Sequence, residues 1–155
     1  MMRIIAPIVD VYVFRRAPDG PKFLLLLRAA GRRIGSTWQV VHGTIEQTET
    51  AVAAALREMR EETGLTPTRF WQLEGVNPFF VAAEDAIYMC PGFAAEVASD
   101  ATVTLCDEHT DFRWLPTDEA LGELMWPGQR RAVREIVEEI IGEGRGEPFL
   151  RLPIE

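Results

Sequence analysis

The chain has 155 residues, 47% hydrophobic and 26% charged, values ordinary for one globular domain spanning residues 1–155 that needs no disulfide or structural metal to fold. Its formal net charge of −8 argues against a nucleic-acid partner, which calls for a basic face. That charge leaves a small phosphorylated ligand open, because a metal and one or two arginines can offset it. Cys90 and Cys106 lack a CxxC spacing and fit buried, reduced thiols. No stretch approaches the ~18 uninterrupted apolar residues of a membrane span. Met1–Pro7 lacks the apolar core of a signal peptide, and Asp10 interrupts the apolar run that follows. The expectation is a soluble, cytoplasmic protein with no membrane partner.

In chain order, Ile8 to Phe14 mixes β-branched and aromatic residues and predicts a strand. Ala17–Pro21 predicts a turn, and Lys22 to Leu27 a second strand that closes a hairpin. Trp38 to Val41 reads as a short strand leading into a loop at His42–Gly43. From Thr48 the period changes. Residues 50–62 are rich in helix formers, with Val52, Leu56 and Met59 on an apolar stripe, Thr48 or Thr50 as cap and Gly64 as stop. Arg69–Val76, Phe79–Met89, Gly92–Val97 and Phe112–Leu115 read as further strands, and Pro127–Ile141 as a second long helix. Glycines and prolines beyond Gly142 predict an irregular tail. The fold class expected is α/β (α+β), a mixed β-sheet sandwiched between helices.

Glu58, Glu61 and Glu62 carry the chemistry. On a helix, Glu61 lies roughly 60° to one side of Glu58 and Glu62 roughly 40° to the other, so the three share a narrow face. Like charges at this spacing oppose helix formation, and the negative end of the macrodipole adds to that. A hard divalent cation such as Mg²⁺ compensates such a face. For the triplet alone, a solvated acidic face with Arg57 and Arg60 as neighbours is the better account.

The residues around the triplet point further. Gly43, Glu49 and the run Arg57–Glu58–Met59–Arg60–Glu61–Glu62–Thr63–Gly64–Leu65 resemble, at every defined position, the signature of the Nudix hydrolase (MutT-like) family. The resemblance implies a Nudix fold and cleavage of a phosphoanhydride bond with Mg²⁺, or Mn²⁺, as cofactor. It implies that Glu58, Glu61 and Glu62 bind the metal, one of them also serving as general base. Arg57 orients the carboxylates through Glu49, and Gly43 lets the His42 carbonyl reach the metal. Many members carry glycine where this chain has His42 and Thr48, which puts the backbone conformation there in question.

Outside this box, Arg28 closes the run Leu24–Leu27 at a position where relatives often contact phosphate, a task suited to guanidinium. Glu108 sits where an additional carboxylate often completes the metal site. Trp38, Phe80 and Trp126 are candidates to stack on a base or pterin, although aromatics more often fill cores. From Trp38 to Leu65, and again from Glu108 to about Val137, the chain is similar to dihydroneopterin triphosphate pyrophosphohydrolases. The expected substrate is therefore a nucleotide or pterin triphosphate, released as monophosphate and pyrophosphate. Dinucleoside polyphosphate or nucleotide-sugar hydrolysis is the alternative, and a nucleotide-sensing domain a third reading. A homodimer paired through edge strands is left open.

Overall fold

A computed structural model describes residues 1–154. It contains nine strands in one mixed sheet: β1 Arg3–Ile5, β2 Ile8–Ala17, β3 Gly20–Arg28, β4 Trp38–Gln39, β5 Val41–Thr44, β6 Arg69–Val81, β7 Ala86–Glu96, β8 His109–Pro116 and β9 Arg151–Leu152. The helices are α1 Ala51–Thr63, α2 Thr117–Glu123, α3 Pro127–Glu135 and α4 Glu147–Leu150, and a π-helical stretch, Ile136–Ile141, continues α3. The backbone of the sheet runs β4-β3-β2-β7-β6-β9, with β5 on β2, β8 on β3 and β1 on β7. Two pairings are parallel, β2 with β7 and β1 with β7.

The central strands are apolar on both sides, as a sheet covered on both faces requires. Alternate residues go to opposite faces. Val9, Val11, Val13, Leu24, Leu26, Phe70 and Phe93 pack against Ala54, Ala55 and Met59 of α1. Tyr12, Phe14, Phe23, Leu25, Trp71 and Leu73 pack against Ala120, Leu124, Val133, Ile136 and Ile140. The sheet thus lies between α1 on one side and α2–α3 on the other, the covering of both faces and the positions of α1 and α3 being as the sequence predicts. No helix among the described residues is long and apolar enough to cross a membrane.

Helix α1 is set by local signals. Thr50 Oγ1 accepts a hydrogen bond from the Ala53 amide, and Gly64 ends the helix at φ 71° with its amide donating to the Arg60 carbonyl.

Other boundaries differ from expectation. His42 and Gly43 lie inside β5, not in a loop. Neither His42 nor Thr48 adopts a positive φ, so neither position requires glycine for its conformation. The segment read as one strand, Phe79–Met89, contains a reversal at Ala82–Asp85 and belongs to the long β6–β7 hairpin. Pro78 and Pro91 sit within that hairpin, opposite Met89 and Val76. Prolines discourage a strand assignment, which is why the hairpin is harder to read locally. Helix α2 has no counterpart in the sequence reading. The last residues are anchored instead of irregular: Leu152 and Arg151 pair with Phe70 and Trp71, and buried Glu147 accepts a 2.7 Å hydrogen bond from Trp71 Nε1.

Candidate active site

Three elements build the carboxylate centre: α1, the β5 strand and the loop between them. Arg57 is its brace. Its Nε and Nη2 donate to Glu49 at 2.7 and 2.9 Å, and Nη2 also donates to the Thr44 carbonyl at 2.9 Å. Nη1 donates to Glu58 at 2.8 Å and to Glu61 at 3.2 Å. One guanidinium therefore ties the loop, the strand and two of the glutamates together, a geometry that suits its planar fork of donors. Its hydrogen bonds with Arg57 hold the Glu49 pKa down at about 2.

The glutamates share a face but not an environment. The Glu61 side chain is 59% exposed and that of Glu58 14%. Glu62 is buried, and its Oε2 has no hydrogen-bond partner. Burial, and then the Glu58 charge, push the Glu62 pKa up to about 9, partly opposed by the backbone amide of His42. Burial also raises that of Glu58, with Arg57 pulling against it.

A buried carboxylate oxygen without a partner costs free energy unless a cation meets it. The residues therefore fit a hard divalent ion: three carboxylates offer oxygen donors, one of them with a buried lone pair unassigned. Gly43 fits the same picture for a steric reason. A Cβ there would fall inside the Glu58 carboxyl group, so only glycine lets that side chain lie against β5.

The β5 strand also decides what His42 can do. Adjacent side chains point to opposite faces; Gly43 faces Glu58, and the His42 imidazole lies on the other face, 2.6 Å from Asp10.

Of the remaining predicted residues, Arg28 and Glu108 meet each other, with Nη1 and Oε2 3.8 Å apart, and both act electrostatically on Glu62. Arg28 Nε donates to the Arg33 carbonyl at 2.8 Å. Trp38 is partly buried beneath the Arg113 guanidinium, 4.5 Å above its ring. Phe80 and Trp126 are 58% and 50% exposed, so neither fills the core.

None of Arg28, Trp38, Phe80 and Trp126 lines the cleft on the opposite face of the sheet. That cleft, about 180 Å³, is bounded by Asp10, Tyr12, Asn77, Cys90, Arg131 and Glu135 among others. It opens where β6 slips register against β7 between Gln72 and Val76. There the Glu135 carboxylate accepts from the amides of Glu74 and Gly75 at 2.9 and 3.1 Å, tying α3 to the irregular strand. Gly128 permits the close approach of the Asn77 carboxamide. The sequence reading missed this cleft, and its one signal was Asp10, a carboxylate within an apolar strand.

The NUDIX domain profile matches residues 6–136. An octanoyltransferase of Myxococcus xanthus is 35% identical over 117 residues, covering 74% of this chain and 32% of the relative. The chain therefore spans about a third of that protein's length. A bis(5'-nucleosyl)-tetraphosphatase (asymmetrical) of Rattus norvegicus is 32% identical over 101 residues, covering 64% of this chain and 67% of the relative. Among solved structures, the E. coli dihydroneopterin triphosphate pyrophosphohydrolase shares the fold at a TM-score of 0.67 and 22% identity, over 87% of this chain and 95% of that one.

Proposed function

The chain belongs to the NUDIX domain family, and from that premise we propose that it is a metal-dependent hydrolase of a nucleoside triphosphate-like substrate. A nucleotide or a pterin triphosphate is cut at a phosphoanhydride bond into monophosphate and pyrophosphate. The observation that carries this reading is the carboxylate set braced by Arg57, with a buried Glu62 oxygen lacking a partner.

In this reading Glu58, Glu61 and Glu62 hold Mg²⁺ or Mn²⁺, joined by the His42 carbonyl and Glu108. When bound, such an ion neutralises charge on the phosphoryl oxygens and makes the attacking water more acidic. Arg57 keeps Glu58 and Glu61 in place, and one carboxylate of the set takes the water's proton. Arg28 exchanges its contacts with Arg33 and Glu108 for a phosphate oxygen. Trp126, which precedes α3, and Phe80 of β6 are exposed and supply apolar surface to the organic half of the substrate.

A second reading, hydrolysis of a dinucleoside polyphosphate, is favoured by the likeness to the rat tetraphosphatase, of which the chain covers 67%. Product analysis with Mg²⁺ separates them. The panel holds nucleoside triphosphates, dihydroneopterin triphosphate, diadenosine polyphosphates and nucleotide sugars, with Glu62→Gln as blank. Pyrophosphate from one triphosphate, absent in the blank, is the expected result. Preferential cleavage of a diadenosine polyphosphate selects the second reading. Blank-level turnover throughout, with thermal stabilisation by a nucleotide, overturns both in favour of a sensing domain.

A further inference from the structure

On the face of the sheet away from the glutamates, three adjacent strands bring together a carboxylate, an imidazole and a thiol. Asp10 of β2 is in register with His42 of β5 and with Gly92 of β7. Cys90, two residues before Gly92, lies on the same face as Asp10. One ligand atom from each of Asp10, His42 and Cys90 lies within 4.8 Å of the others. Asp10 and Cys90 are 5% and 2% exposed, whereas the His42 side chain is 48% exposed. Asp10, Cys90 and Gly92 all line the cleft.

Metal–ligand bonds of about 2.0–2.3 Å place tetrahedral donors roughly 3.3–3.8 Å apart. The 2.6 Å contact between His42 and Asp10 must therefore open slightly, which the half-exposed imidazole can accommodate. The donor set differs in kind from the glutamates: sulfur and nitrogen beside one oxygen select a borderline cation over Mg²⁺. Three protein ligands and an open side are the arrangement of a site that retains an exchangeable position.

We propose that Asp10, His42 and Cys90 form a second metal site, for a divalent cation of the Zn²⁺ class, with its open position facing the cleft. The site stands on its own geometry and does not depend on the hydrolase reading.

The test uses Co²⁺ as a spectroscopic substitute for Zn²⁺, added to the reduced full chain in excess Mg²⁺. A thiolate-to-cobalt charge-transfer band appears, Zn²⁺ abolishes it, and it is retained in Cys106→Ser but lost in Cys90→Ser. Cys106 is the necessary control, because it lies in a second mixed cluster among the described residues, with Glu108 and His109. His42→Ala, a change at an exposed side chain, weakens Co²⁺ binding at least about tenfold and keeps the proposal testable if Cys90→Ser does not fold. Absence of the band in the wild type overturns the proposal. So does a band lost in Cys106→Ser and kept in Cys90→Ser, or undiminished affinity in His42→Ala.

Discussion

Glu62→Gln is expected to stabilise the metal-free protein, a result opposite to that of most buried substitutions. The Glu62 residue is 4% exposed and its Oε2 has no partner. Burial first, and the Glu58 charge second, raise its pKa from 4.5 to about 9. Between those values the folded protein holds a proton that the unfolded chain has released. The associated stability is complete below pH 4.5 and declines as pH rises, until the folded carboxyl ionises near pH 9. At pH 7 the interval crossed, from 4.5 to 7, is worth about 3 kcal/mol at about 1.4 kcal/mol per pH unit. Glutamine is uncharged in both states and escapes this loss. Thermal unfolding in EDTA at pH 7 should show Tm higher by about 6–12 °C in the variant, given about 2–4 °C per kcal/mol at this chain length. Across pH 5–8 the wild-type Tm should fall while that of the variant changes less. Mg²⁺ should raise the wild-type Tm and leave the variant's nearly unchanged. A variant Tm at or below wild type in EDTA, or equal stabilisation of both proteins by Mg²⁺, would refute the reasoning.

Gly43→Ala places a Cβ inside the Glu58 carboxyl group; the displacement should cost about 1–3 kcal/mol and weaken Mg²⁺ binding measured by titration calorimetry. Unchanged affinity would show that Glu58 need not lie against β5. Arg57→Lys removes the forked contact with Glu49. It should lower turnover by about 10–100-fold with the circular dichroism spectrum preserved, and wild-type turnover would count against a bracing role. The Glu49 pKa is lowered from 4.5 to about 2, chiefly by its hydrogen bonds with Arg57. Its contribution to stability is present above pH 4.5 and is lost as pH falls toward 2. Acid titration of Glu49→Gln should therefore be flatter than wild type across that window; parallel curves would contradict the assignment.

Much of α1 is written locally. Thr50 and Gly64 bound it, and helical periodicity alone brings Glu58, Glu61 and Glu62 to one face. The expectation of a sheet covered on both sides likewise comes from reading one glutamate-bearing helix and one C-terminal helix among the strands, before any strand is paired. The partnership of Arg57 with Glu49 follows from the family resemblance, and its bond lengths are those of a short loop folded back on a helix.

What the linear order cannot specify is which side chains meet across strands. Sequence spacing treats the three glutamates alike, yet packing leaves Glu61 exposed and buries Glu62. Gly43 reads as a loop glycine until β5 is paired and Glu58 is found in the space a Cβ would occupy. Asp10, His42 and Cys90 are scattered along the chain and converge only through the register of β5, β2 and β7. The cleft needs the irregularity between Gln72 and Val76 together with Glu135 from α3. Helix periodicity and capping act within a few residues, so composition and spacing carry them. Strand register joins residues far apart in the chain through backbone hydrogen bonds and burial, and it exists only once the whole sheet has formed.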